Sequence, residues 1–448
     1  MELAIKIFQF ILSISILVIL HELGHFLPAK YFKTKVEKFY LFFDPYFSLV
    51  KKKIGETEYG IGWLPFGGYV KIAGMVDESM DTEQLKQPAQ PWEFRAKPAW
   101  QRLIIMLGGV TVNFFLAWLI YGCLSFFNGE TSFDTAKVDA PMNYTSVAKG
   151  MGFQDGDKIL KVDGKTQNNL DKLALDVLLS DEITVLRNGK EVTFPTNDDG
   201  KAMAFRDENP KAFLTPRFPA VIDSIYNPKT AQAGLKVGDQ VVSVDGKKIS
   251  YYDEFQETVR NSPGKDIKVD IIRGGAIQPL VLSVSKEGTL GLASYKQLKK
   301  FYETKHFTFG QSIGRGFTRS IESLTYQVKQ FKLIFNKKVQ GYKKVGGPLA
   351  IINNMQVKEA QDGSLSIDWT WFWSFTAMFS VWLAFLNLIP IPGLDGGHVI
   401  FTLYEMIVGK PVPQKILENA QMVGVIFLLG LMLLIFGADI FKIITNKF

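Results

Sequence analysis

The stretch SILVILHELGHFLPAK, Ser15 to Lys30, places two histidines and a glutamate at the end of a long apolar run. His21 and His25 are four residues apart, so on a helix they share one face with about 5–6 Å between their Cβ atoms. Two neutral imidazoles at that spacing can hold one zinc ion from the same side. Glu22 follows the first histidine directly, where it can hydrogen-bond a water held by the metal without binding the metal itself. Ionisable groups within an apolar helix are expensive and mark functional positions. The chain has only 4 histidines in 448 residues, so a chance pairing explains the motif poorly.

Zinc that acts on water needs a third protein ligand and one open position. After His25 the sequence reads FLPAKYFKTKVEKF, without a further H-x-x-G-x-x-H run. Glu37 sits there among Lys33, Lys35 and Lys38 and reads as a solvated flank. His306 falls in a long polar segment expected on the other side of a membrane. The remaining source is NLIPIPGLDGGHVI, Asn387 to Ile400, at the end of another apolar run. Asp395 stands there against prolines and glycines that break a helix, an irregularity tolerated at membrane depth where protein or a water-filled cavity surrounds it. A simple turn accounts for Asp395 and the glycines but not for Asn387, Pro390 and Pro392 together. His398 is the rival third ligand.

Those residues must be carried by membrane-spanning elements. The chain is 47% hydrophobic and 13% aromatic, yet its 21% charged residues are too many for a wholly embedded protein. Spans plus a soluble part are expected, in several domains. The net charge of +7 comes from scattered lysines. With no nucleic-acid motif, these fit basic flanks of membrane segments and no nucleic-acid partner. Cys123 is the only cysteine, which excludes a disulfide framework and a CxxC zinc site. Crossing a bilayer takes ~20 apolar residues, and four runs qualify: Leu3–Phe26, Leu103–Phe127, Trp371–Leu388 and Val423–Ile444. The first is not a signal peptide, since it lacks a small-residue cleavage site and continues into the histidine motif. Lysines 30, 33, 35 and 38, with Arg95, Lys97 and Arg102, place 31–98 in the cytoplasm by the positive-inside rule. The segment 128–369 then lies outside, because long domains translocate regardless of charge.

That external segment holds a repeat. MGFQDGDKILKVDGK (Met151 to Lys165) aligns without gaps on AGLKVGDQVVSVDGK (Ala233 to Lys247). Each copy has a G-D turn, alternating apolar residues and a D-G-K hairpin-type turn. Each continues to a strand ending in R-N-G (Arg187 to Gly189) or R-G-G (Arg273 to Gly275). The pair resembles tandem PDZ domains, whose edge strand pairs with an extended peptide below a loop that receives its carboxylate. TPRFP (Thr215 to Pro219) is expected to precede that strand and has no glycine, so tail capture and a purely structural or filtering role both stay open.

H-E-L-G-H in a first span with N-x-x-P-x-P-x-L-D-G-G in a later one resembles the site-2 protease family of intramembrane zinc metalloproteases. The two PDZ-like copies between spans make it most similar to the bacterial sigma-E-regulating branch. The resemblance covers essentially the whole chain. It implies a multi-span α-helical membrane protein with four transmembrane helices, a membrane-associated β-hairpin and two external PDZ-like α+β domains. It also implies that His21, His25 and Asp395 bind Zn2+, that Glu22 is the catalytic base, and that Asn387 helps hold the substrate backbone. GIGWLPFGGYVKIAGM (Gly60 to Met75) resembles the family's hairpin, so Gly68, Tyr69, Val70, Lys71 and Ile72, with Pro390 and Pro392, are the expected substrate-binding residues. VGGPLAI (Val345 to Ile351) resembles a G-P-x-x-I segment ahead of the third span. Ile313 to Phe335 fits a basic amphipathic helix on the membrane surface.

The expected domains are 1–30 and 99–127 for the first two spans, with 31–98 for the cytoplasmic hairpin region between them. The PDZ-like copies take 128–215 and 216–290, followed by the amphipathic segment 291–367. The third span with its D-G-G motif takes 368–400 and the fourth span 417–445. The implied location is a bacterial inner membrane, with the PDZ-like domains outside and the active site toward the cytoplasm. The implied partners are the lipid bilayer, membrane-embedded protein substrates such as anti-sigma factors or signal-peptide remnants, and peptide ligands of the PDZ-like domains. Two other classes fit less well. A zinc transporter has no use for Glu22 beside His21, and a catalytically inactive PDZ scaffold would be expected to have lost a ligand or the base.

Overall fold

The computed structural model describes residues 1–75, 87–133, 142–166, 170–206, 213–293, 302–359 and 364–444. Parts of the expected domains, including 76–86, 134–141, 294–301 and position 445, lie outside the described residues. The chain divides into two compact units. One comprises Met1–Gly129, His306–Lys329 and Lys344–Phe448, and the other Glu130–Lys305 and Gln330–Lys343.

Four helices of the first unit are long and apolar enough to cross a membrane: Glu2–Tyr31, Ala99–Asn128, Trp369–Leu388 and Gln414–Ile444. Each contains one of the four apolar runs. Here they are called the first to fourth long helices. The first and second touch backbone to backbone at glycines, since a Cβ added to Gly108 would lie 1.9 Å from the Gly24 carbonyl oxygen. Pro28 has no N–H to offer that same carbonyl, and small residues are what lets apolar helices approach so closely. Hydrogen bonds then fix the register between helices. Ser13 Oγ lies 3.0 Å from Thr376 Oγ1, and Ser380 Oγ donates to the Asn113 carbonyl at 2.7 Å. Each such bond contributes only about 0.6 kcal/mol on average in a membrane, so their main effect is on alignment.

Between the first two long helices lies a four-stranded sheet with β1 (Val36–Phe43), β2 (Val50–Ile54), β3 (Thr57–Ile61) and β4 (Leu64–Ile72), in the order β2-β3-β1-β4. The expected hairpin over Gly60 to Met75 is therefore not a hairpin. β3 and β4 both pair with β1, the first parallel and the second antiparallel. The Gly62 N–H donates to the Leu41 carbonyl at 2.8 Å, which carries the connection across the end of β1 to its far side. The hairpin in this sheet is β2–β3. β4 remains an edge strand among the described residues. It packs against the first long helix, with Val70 and Ile72 in a core that includes Ala29, Val36, Ile105 and Met106.

The amphipathic segment forms the helix Phe309–Ile334. Its N-terminal part leans on the second long helix, where Trp118 Nε1 donates to the Ile313 carbonyl at 2.8 Å and Phe317 packs edge-on to Phe114 and Trp118.

The second unit repeats one plan twice. A four-stranded sheet contains Lys158–Val162 and Glu182–Arg187 in the first copy, and Gln240–Val244 and Asp266–Arg273 in the second. A two-stranded sheet accompanies each. The aligned G-D aspartates do the same work in both. Arg187 binds Asp157 through two hydrogen bonds of 2.8 and 2.7 Å and also the Gly152 carbonyl, while Arg273 does so with Asp239 and the Gly234 carbonyl. The bidentate fork explains why arginine stands before both R-N-G and R-G-G turns. Burial of each copy's apolar alternation forms a separate core, around Val162, Ile183 and Val185 in one and Val244, Val269 and Ile271 in the other.

The expectation for Thr215 to Pro219 needs correction. Leu214–Pro216 pairs with Met142–Tyr144 and so closes the first copy. The second copy is closed by Leu292–Ala293, which pairs with Ser224–Ile225 beyond the expected boundary at 290. Its groove lies between the helix Tyr252–Arg260 and the segment Gly288 to Leu292, which does carry glycines.

Candidate metal centre

The helix Glu2–Tyr31 presents His21 and His25 one turn apart on its buried face, 7% and 6% exposed. At ~1.5 Å rise per residue, His21 lies about 15 Å from the C-terminal end of that helix. The third long helix stops at Leu388, because Pro390 and Pro392 cannot continue it. A separate helix, Asp395–Val408, then begins with Asp395 itself. The expected span-plus-motif segment is thus a helix, a proline-bearing loop and a second helix. Contacts along its length hold that second helix: Val399 packs in a core with Ile105 and Met106, Arg102 of the second long helix pairs with Glu405 near its far end, and the Gln421 side-chain oxygen accepts the Gly393 N–H at 3.1 Å before its start.

This brings Asp395 onto the histidines. Asp395 Oδ2 lies 3.3 Å from His21 Nε2 and 3.2 Å from His25 Nε2, and the two Nε2 atoms are 3.3 Å apart. Among the described residues, these three form a group whose ligand atoms all lie within 4.8 Å of one another. Asp395 Oδ2 is buried and makes no hydrogen bond among the described residues. Two imidazole nitrogens converging on a carboxylate oxygen that has no hydrogen-bond partner among the described residues suit a zinc ion with a position left over. The ring of His25 is oriented from behind, with Nδ1 2.8 Å from the Ile105 carbonyl. A carbonyl accepts only, so Nδ1 carries the proton and Nε2 presents its lone pair.

The other expected residues distribute unevenly. Glu22 is partly buried beside the histidines, with the Val70 backbone N–H as a hydrogen-bonding neighbour. That contact ties β4 directly to the proposed base, a link that sequence reading could not supply. Asn387 reaches the group too, with Nδ2 3.2 Å from His21 Nε2. Gly68 packs against Val18 and the Tyr40 carbonyl. The Tyr69 side chain is engaged elsewhere, donating to Asp44 at 2.9 Å. Burial, with that carboxylate next, pushes the Tyr69 phenol well above its ordinary range, so it stays a neutral donor. Lys71 lies 3.8 Å from Glu37, and Pro390 is exposed on the loop with Pro392 partly buried. His398 is not in the convergent group, nor are Glu37 and His306. One residue at the site escaped sequence reading: Asn113 of the second long helix, wholly buried, with Nδ2 3.1 Å from His21 Nδ1. Its signal was an amide side chain inside a largely apolar run.

Known proteins match this chain over nearly its full length. The model of peptidase family M50 matches residues 9–431. A Clostridium perfringens protein provisionally named a zinc metalloprotease is 28% identical over 96% of this chain and 97% of its own. The regulator of sigma-E protease of Escherichia coli is 28% identical over 95% of this chain and 96% of its own. A Campylobacter jejuni protein, again provisionally named a zinc metalloprotease, is 27% identical over 98% of this chain. Neither the transporter nor the inactive scaffold gains support from these matches. Histidines and a carboxylate converging between apolar helices, together with a family model covering almost the entire sequence, lead to one assignment: the chain belongs to peptidase family M50, the site-2 protease family of intramembrane zinc metalloproteases.

Proposed function

We propose that His21, His25 and Asp395 hold the zinc of this endopeptidase and that Glu22 is its general base. The observation that carries this reading is the convergence of those three side chains with Glu22 beside them. Zinc, when bound, acidifies water and polarises a carbonyl. Glu22 takes the proton from the attacking water and passes it to the leaving amine, as a positioned carboxylate can. The Asn387 amide, close to His21, donates to the carbonyl oxygen as negative charge develops there. A helical substrate hides its carbonyls in its own hydrogen bonds, so it must unwind first. The edge of β4, which has no partner strand among the described residues, can replace those bonds by strand addition, starting next to Glu22.

The substrates on this reading are transmembrane segments of other proteins, with anti-sigma factors and signal-peptide remnants as the classes to test. The protein would sit in a bacterial inner membrane with the active site facing the cytoplasm, since the basic residues at 30–38 and 95–102 flank that end of the first two spans. The repeated copies are read as PDZ domains on the outer side. The groove between Tyr252–Arg260 and the glycine-bearing Gly288 to Leu292 supports a peptide-binding role in the second copy. The decisive experiment is zinc-dependent cleavage of a membrane-peptide reporter by purified protein, set against Glu22→Gln. That variant keeps the shape and loses the base, so cleavage should fall by about 10²- to 10⁴-fold with zinc content unchanged. Normal cleavage by Glu22→Gln would refute the assignment.

A further inference from the structure

His25 and His21 both turn Nε2 toward Asp395, so both need their other ring nitrogen to carry the proton if they are to hold zinc. The Ile105 carbonyl meets this need for His25. For His21 the neighbour of Nδ1 is the side-chain amide of Asn113, at 3.1 Å. As placed, that amide offers its Nδ2, a donor, which would force the proton onto Nε2 and spoil the ligand. The nitrogen and oxygen of an amide are nearly interchangeable in position and must be assigned from their partners. Asn113 Oδ1 is buried and has no hydrogen-bond partner among the described residues. Either orientation leaves one end of the amide without a described partner, so the ring's requirement for an acceptor decides.

We propose that Asn113 is a positioning residue for the metal centre: its Oδ1 accepts a hydrogen bond from His21 Nδ1–H, which locks the tautomer that presents Nε2 to zinc. The backbone of Asn113 is well placed for this, because its carbonyl is held by Ser380 at 2.7 Å and its helix is pinned to the first at Gly24. Thus one helix orients the histidine ligands of another: Ile105 and Asn113 both belong to the second long helix, while His21 and His25 belong to the first. The inference rests on His21 being a zinc ligand.

The test is zinc affinity of the detergent-solubilised full-length protein, measured by competition with a chromophoric chelator. Asn113→Leu keeps the approximate volume and removes the acceptor, whereas Asn113→Asp keeps the acceptor. Removing an outer-shell partner costs about 10–100-fold in metal affinity, so Asn113→Leu should bind zinc that much more weakly and Asn113→Asp within a few-fold of the parent. A role in packing alone predicts the opposite order, and that order would overturn the proposal. If Asn113→Leu fails to fold, the Asp variant decides: near-parental affinity supports the acceptor role, and a folded Asp variant that has lost zinc refutes it. His21→Ala in the same assay separates the two levels of inference. Undiminished affinity there would sink the metal-site reading itself, whereas loss there beside parental affinity in Asn113→Leu would sink only the role of Asn113.

Discussion

Gly109 lies against the imidazole of His25: a Cβ built on this glycine would come within 2.4 Å of His25 Nε2, and within 2.6 Å of His21 Cε1. The backbone of the second long helix is therefore the floor of the metal site. Any side chain there collides with the two rings, both of which are buried. Gly109→Ala should reduce zinc affinity by on the order of 10–100-fold, read by metal analysis of the purified protein. Parental zinc content in Gly109→Ala would show that the rings can retreat.

The third ligand can be assigned by metal content. Asp395→Ala should lose zinc and activity together, because its carboxylate faces both histidines. His398→Ala should keep zinc, since His398 is outside the convergent group. The reverse pattern would transfer the ligand role to His398.

β4 supplies a backbone test. Val70→Pro removes the N–H that neighbours Glu22, whereas Val70→Ile keeps it. Hydrogen bonds to a charged group are worth about 1.5–3 kcal/mol, so the proline variant should cleave the reporter roughly 10- to 100-fold more slowly and retain its zinc. Equal rates for the two variants would remove β4 from the mechanism.

The fourth long helix acts on the site at one remove. A Cβ on Gly424 would lie 1.5 Å from the Pro392 carbonyl oxygen, just ahead of the Asp395 helix, while Gly430 on the same helix has nothing within 4 Å. Gly424→Ala should cost about 1–3 kcal/mol through overpacking and loosen the loop that aims Asp395. A lower melting temperature and reduced zinc occupancy are expected for Gly424→Ala and neither for Gly430→Ala. Indistinguishable variants would mean that the Pro392 loop does not depend on this contact.

The sequence alone determined the features set by local physics. Four runs of apolar residues are long enough to cross a bilayer wherever they occur, and an H-x-x-x-H spacing puts both imidazoles on one face of whatever helix carries it. The repeat was equally legible, because its turns and alternation recur at matching positions. What only the tertiary structure decided involves residues far apart in the chain. Asp395 is expected from its motif, with His398 as the rival, but it meets His21 across more than three hundred positions only through the packing of separate helices. The stretch Gly60 to Met75 reads as a hairpin from its resemblance to the family's, yet the chain crosses the end of β1, so that β3 and β4 pair on opposite sides of it. The glycines of the second groove were sought before its first strand, whereas the closing strand comes last. Asn113 draws no notice in the sequence, and only the packing of the first two long helices brings its amide within 3.1 Å of His21. Spacing along one element is written locally, while partnership between elements is settled by which surfaces pack, and packing is a property of the whole fold.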